Sequence, residues 1–167
     1  MERYQHTIPP IWDIHSRILI LGSFPSVKSR AVQFYYGNPH NRFWAVLGRV
    51  LGEAVPDSPA GRAEFLLRHR IALWDVIASC EIDGSADSSI HNAAVNDIAP
   101  ILTQSQICRI YTNGSTAARL YHRHLLPQTQ RPAITLPSTS PANASYSLDR
   151  LADRWQMILE ALQDSSE

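Results

Sequence analysis

Two asparagines, Asn38 and Asn41, stand in the run Phe34-Tyr35-Tyr36-Gly37-Asn38-Pro39-His40-Asn41-Arg42-Phe43-Trp44. A carboxamide offers a donor and an acceptor together, so either group could orient a water molecule or steady a departing charge. Asn41 directly precedes an amphipathic helical pattern and is also suited to capping that helix. Asn38 has no such duty in the sequence and is the better candidate for a catalytic amide. Tyr35 and Tyr36 fall in a Gly- and Asn-rich loop rather than at strand or helix spacing. Rings are usually core, yet here a stacking platform for a flat base is at least as apt.

Further polar groups gather upstream and downstream. Gly22-Ser23-Phe24 follows an apolar run and presents small residues, backbone N–H groups and a ring. Ser26, Ser115, Ser138 and Ser140 offer hydroxyl and backbone donors of the kind that touch phosphates, although each also suits an ordinary turn. Lys28 and Arg30 could add positive charge nearby. Asp75 interrupts the apolar run Ile71-Ala72-Leu73-Trp74-Asp75-Val76-Ile77. A carboxylate there must find donors or be neutralised, whether as a structural cap or as a ligand contact.

These residues need elements to hold them. Residues 17–25 read as a buried strand ending in Gly-Ser and Pro. Helical spacing covers 41–51, and Ser58 with Pro59 opens a second helix to about residue 70. The run 71–77 reads as one strand with Asp75 inside it, and 80–89 as a long polar loop. A helix starts near Asn96. Residues 109–112 form a strand ending at Asn113-Gly114, with Ser115 capping a helix to about 125. A last strand at 133–136 leads into Pro137-Ser138-Thr139-Ser140-Pro141-Ala142-Asn143, and a last helix covers 148–162. Residues after Gln163 are expected to fray. Four strand–helix alternations imply a mainly parallel four-stranded sheet covered on both faces, an α/β fold. Its carboxyl-end rim, where ligands bind in such sheets, collects the three polar clusters.

Composition narrows the partners. The 167 residues suit one domain, and 44% apolar with 18% charged residues is an ordinary globular balance. Fifteen basic side chains offset fifteen acidic ones, so polyanion binding needs a local patch. The seven histidines add charge only below about pH 6.5 unless shifted. Cys80 and Cys108 stand alone, without metal-ligand spacing, which argues against zinc or an iron–sulfur cluster. No cofactor motif, secretory signal or membrane-length apolar run is present, so a cytoplasmic protein is expected.

Four blocks in order carry a resemblance. They are Leu21-Gly22-Ser23-Phe24-Pro25-Ser26, Tyr36 through Trp44, Ala72-Leu73-Trp74-Asp75-Val76-Ile77-Ala78-Ser79-Cys80, and Leu136-Pro137-Ser138-Thr139-Ser140-Pro141-Ala142-Asn143. With them the chain resembles the uracil-DNA glycosylase superfamily, and within it the hypoxanthine (deoxyinosine) DNA glycosylases. The resemblance implies a three-layer α/β/α sandwich, one glycosylase domain over residues 1–167 with its core in roughly 15–162. It implies a monofunctional enzyme of base excision repair that flips a deaminated base from DNA and removes it. In mismatch-specific relatives the first block carries the catalytic asparagine; here Phe24 stands at that place, and the role moves to Asn38, with Asn41 as the alternative. Leu136 replaces a histidine of the family's His-Pro-Ser loop, which points away from uracil and towards hypoxanthine. Asp75 matches a position that reads the base edge. Gly22, Ser23, Phe24, Tyr35, Tyr36 and Asp75 then bind the base. Ser26, Lys28, Ser115, Pro137, Ser138, Ser140, Pro141 and Asn143 meet DNA, the loop 138–144 acting as a wedge. A monomer without metal or cofactor, acting on the nucleoid of a prokaryote-like cytoplasm, completes the expectation. Its rivals are a uracil or mismatched-thymine glycosylase, a nucleic-acid-binding module without chemistry, and a nucleotide-binding domain.

Overall fold

The computed structural model describes residues 2–163; the expected frayed end after Gln163 lies outside them. In chain order the elements are β1 (Arg3–Gln5), β2 (Ile18–Gly22), α1 (Val27–Val32), α2 (Phe43–Leu51), α3 (Pro59–Arg68), β3 (Ile71–Asp75), β4 (Ile77–Glu81), β5 (His91–Val95), α4 (Ala99–Gln104), β6 (Arg109–Asn113), α5 (Ser115–Leu120), α6 (Leu126–Thr129), β7 (Ala133–Leu136), α7 (Leu148–Trp155) and α8 (Ile158–Leu162). Four parallel strands form the central sheet in the order β3-β2-β6-β7.

Side chains alternate across a strand, and β2 shows what that does to a run that is apolar throughout. Ile18 and Ile20 join one core with Phe43, Val46 and Leu47 of α2, Phe65 of α3 and Trp155 of α7. Leu19 and Leu21 join a second core on the opposite face with Ile98, Ile101, Tyr121 and Leu125. The sheet is therefore the middle layer of three, buried on both sides.

Several boundaries differ from the sequence reading. The run 71–77 is not one strand. It breaks at Val76, whose N–H donates to Gly22 O (2.8 Å), and β4 then joins a separate antiparallel sheet of order β1-β4-β5. Asp75 is consequently the last residue of β3, on the same rim as the other polar clusters, not inside a strand. The second sheet carries no readable pattern because β1 and β5 are short and largely exposed; pairing rather than burial holds them. Residues 80–89 are not all loop, since β4 reaches Glu81 and a 3-10 turn spans Asp87–Ser89. Ser115 does not cap its helix. Gly114 does, at φ +96, where a Cβ would also press to 3.1 Å from Ser138 Cβ. That helix passes through a π turn at Tyr121–Leu125, and the last helix breaks between α7 and α8.

Candidate active site

Parallel register sets the floor of the site. Gly22 lies beside Asp75, and Asn113 beside Leu136, so four strand ends and the loop after β7 meet at one rim. Above them opens a cavity of about 850 Å³ whose lining includes Gly22, Ser23, Phe24, Tyr36, Asn38, Asn41 and Asp75. That volume suits a small-molecule or nucleoside-sized guest.

Asp75 is buried, and its Oδ2 is 2.8 Å from His6 Nε2. Its Oδ1 lies over Gly22. A Cβ on Gly22 would fall 2.4 Å from that oxygen and 3.0 Å from the Tyr36 hydroxyl. Glycine is required there for space, not for backbone angle. Tyr36 takes φ +52 and stacks on Phe43 with 4.0 Å between ring centroids. Its hydroxyl accepts from Asn113 Nδ2 (3.1 Å), which also donates to Thr139 Oγ1 (3.0 Å). Thr139 returns a bond from its N–H to Asn113 Oδ1 (3.0 Å) and donates its hydroxyl to Asn41 Oδ1 (2.8 Å). One continuous network thus joins the ends of β6 and β7 to the loop before α2.

The two candidate amides sit in one turn, with Asn41 N–H donating to Asn38 O (2.9 Å). Asn41 Oδ1 accepts from Phe43 N–H (2.9 Å) at the start of α2, in addition to Thr139. Asn38 has a local duty the sequence did not reveal: its Oδ1 accepts from His40 N–H (2.9 Å). The nitrogen of each amide makes no hydrogen bond among the described residues. The helix α1, which no sequence signal marked, steadies this turn. Its buried Ser29 accepts from Gly37 N–H (2.9 Å), while Ser26 caps the helix through Ser29 N–H (3.1 Å).

At the rim, Arg42 grips the loop after β7. Its guanidinium donates to Ser140 O (3.1 Å), Asn143 O (3.0 Å) and Tyr146 O. The loop's own side chains close short turns. Ser138 Oγ accepts from Ser140 N–H, Ser140 Oγ accepts from Ala142 N–H, and Asn143 Nδ2 donates to Ser138 O. Trp155 Nε1 donates to Pro137 O (2.9 Å). Pro141 and Ala142 are exposed at the tip. Across the cavity Ser23 donates its hydroxyl to Asp87 Oδ1 (2.8 Å).

Burial pushes the Tyr36 hydroxyl well above the usual tyrosine range, and the Asp75 carboxyl adds to it; the bond from Asn113 opposes. Tyr35 is raised in the same direction, first by burial and then by Asp75. Both remain neutral hydroxyls in the physiological range. Among the described residues no three His, Cys, Asp or Glu side chains come together as a metal site, and no helix is long and apolar enough to cross a membrane.

The cavity gathers most of the residues singled out in the sequence, Ser26, Ser115, Pro137, Ser138, Ser140, Pro141 and Asn143 among them. Lys28 is exposed on α1 and outside the lining. Tyr35 touches the cavity but is only 2% exposed, with its hydroxyl donating to Pro9 O. It has no free face for a base, because the N-terminal segment covers it. Four contributors went unread: His6, Arg42, Asn113 and Thr139. Asn113 and Thr139 lie within polar strand-end clusters and were visible as such. Nothing local marks His6 or Arg42, whose partners lie 69 and about 100 residues away in sequence.

Comparison with known proteins places this geometry. Residues 9–164 match the family described as the uracil DNA glycosylase superfamily. A curated protein named hypoxanthine DNA glycosylase from Methanosarcina acetivorans is 36% identical over 152 residues, covering 90% of this chain and 94% of that protein. One of the same name from Methanosarcina barkeri is 39% identical over 101 residues, 56% of this chain and 64% of that protein. A solution NMR structure described as a candidate uracil DNA glycosylase from Methanosarcina acetivorans is similar with a TM-score of 0.80 and 34% identity, covering 94% of this chain and 97% of its own.

Proposed function

Because this chain belongs to the uracil DNA glycosylase superfamily, we propose that it is a monofunctional glycosylase that removes hypoxanthine from deoxyinosine in DNA. Two relatives bear that name, and the cavity floor offers what that base needs. Hypoxanthine carries a hydrogen on N1, which Asp75 Oδ1 can accept. Adenine carries a lone pair there and meets repulsion, the strong kind of discrimination. The Tyr36 oxygen accepts from Asn113, so its own proton is left to donate towards the base oxygen and the charge that develops there. Tyr36, not Tyr35, is the ring assigned to the base. The family match over residues 9–164 supports one catalytic domain, and its substrate in this reading is duplex DNA with a flipped deaminated base. Pro141 and Ala142 are the wedge residues. We further read the enzyme as a cytoplasmic monomer.

The observation that carries the catalytic assignment is the hydrogen-bond count at the two amides. An amide oxygen has two lone pairs. Asn41 Oδ1 already accepts two hydrogens, from Phe43 and Thr139. Asn38 Oδ1 accepts one, from His40, and keeps an acceptor for the water that attacks the sugar carbon. The electrons of the broken glycosidic bond leave with the base, the proton that the water gives up ends on that base, and the products are free hypoxanthine and an abasic site.

Single-turnover assays on duplexes bearing one deoxyinosine or one deoxyuridine, developed with alkali, test this. Excision of hypoxanthine should far exceed that of uracil, and Asn38→Ala should slow it by about 10²–10³-fold. If neither substrate yields an abasic site, the glycosylase reading fails. Full activity in Asn38→Ala with loss in Asn41→Ala would transfer the role to Asn41.

A further inference from the structure

We infer that His6 is a positioning residue for base selection: by tying one oxygen of Asp75 it aims the other as the acceptor of the cavity floor, which favours a base with a ring N–H. The inference rests on the reading above that Asp75 meets the base edge. His6 lies upstream of residues 9–164, the span that matches the family.

The pair is enclosed, with the His6 and Asp75 side chains 1% and 6% exposed and 2.8 Å between Nε2 and Oδ2. Rings of Phe24, Tyr35 and Trp74 surround the imidazole at 6.1, 6.2 and 6.3 Å. The backbone is fixed as well. His6 N–H donates to Ala78 O (2.7 Å), directly after β1 pairs with β4. Of the other titratable groups around Asp75, Tyr35 donates to Pro9 O and Asp87 accepts from Ser23, while Tyr36 accepts from Asn113 and makes no hydrogen bond to Asp75. Among the described residues, His6 is thus the only side-chain donor to Asp75.

A carboxylate held by no donor can turn about its Cβ–Cγ bond. With Nε2–H on Oδ2 the carboxyl plane is fixed and Oδ1 faces the base beside Gly22, where it receives the N1–H of hypoxanthine and meets the N1 lone pair of adenine. Histidine at this position therefore aims the acceptor that the floor offers, without touching the base.

The test measures binding of the full chain to duplexes carrying 2′-fluoro-deoxyinosine or 2′-fluoro-deoxyadenosine, whose glycosidic bonds resist cleavage. Wild type should prefer the inosine analogue. His6→Leu should shrink the inosine-to-adenosine affinity ratio by about tenfold or more, the scale of one charged hydrogen bond. His6→Gln should restore most of the ratio, because its amide nitrogen reaches the place of Nε2. A purely structural role would weaken both complexes alike and leave the ratio unchanged, and that result overturns the inference. Should His6→Leu fail to melt cooperatively, His6→Asn, too short to reach Oδ2, is measured with the same expectation. A wild type that binds both analogues equally sinks the base-edge reading of Asp75, whereas a preference that survives His6→Leu and His6→Asn sinks only the role of His6.

Discussion

The floor of the cavity and its rim are built by opposite means. On the floor the hydrogen bonds span long stretches of chain: 69 residues from His6 to Asp75, 77 from Tyr36 to Asn113, 98 from Asn41 to Thr139. At the rim, in the loop after β7, the bonds made by the side chains of Ser138, Ser140 and Asn143 span 2, 2 and 5 residues. Floor groups are positioned by packed strand ends and have few alternative arrangements. Rim groups shape their own turns, and Arg42 and Trp155 bind their backbone to the body of the protein. The difference suits a base pocket that must hold hydrogen-bond geometry beside a loop that meets a duplex.

The sharpest attempt to break this contrast is Gly22→Ala. The new Cβ would collide with Asp75 Oδ1, and such overpacking costs about 1–3 kcal/mol. Displacing the floor by an ångström should cost excision about 10²-fold. Near-normal turnover would show that the floor adjusts as freely as a loop. Arg42→Ala comes next. Losing the grip on three carbonyls should lower stability by about 1.5–3 kcal/mol and slow duplex substrates roughly tenfold more than single-stranded ones, since only duplexes require unpairing. Equal losses on both would mean that Arg42 supports the floor instead. Ser140→Ala should do least. It removes one local turn bond, worth about 0.5–1 kcal/mol, and should leave excision within about twofold of wild type, as expected of a rim serine whose oxygen serves its own loop. A tenfold loss at unchanged melting temperature would place that hydroxyl on the DNA and sharpen the rim into a reading surface.

Much of this was legible beforehand because it is local. The apolar run of β2, the helical spacing of 43–51 and the polar strand ends state the layered sheet and its active rim. The place of Asn41 before α2 points to its bond with the helix start, although Arg42 stands at the cap itself and Asn41 Oδ1 receives Phe43 N–H from one residue further out. Other elements lacked a signal. The strand β5 is largely exposed, so no hydrophobic alternation marks it, and α1 is six residues long. Asp75 was misplaced within a longer strand because the apolar run continues through Ile77 while the backbone turns away at Val76.

Sequence by itself determined the parallel α/β frame, its family and the pool of amides, rings and serines at one rim, since periodicity and motif spacing are properties of neighbouring residues. Only the tertiary structure decided which of those groups are spent on structure and which are left for a ligand. It filled both acceptor sites of Asn41 Oδ1, left Asn38 Oδ1 one lone pair, closed Tyr35 under the N-terminal arm and brought His6 onto Asp75. Each of those outcomes depends on a partner distant in sequence or on a local turn that only the folded backbone defines, and hydrogen-bond satisfaction inside a protein is settled by such partners.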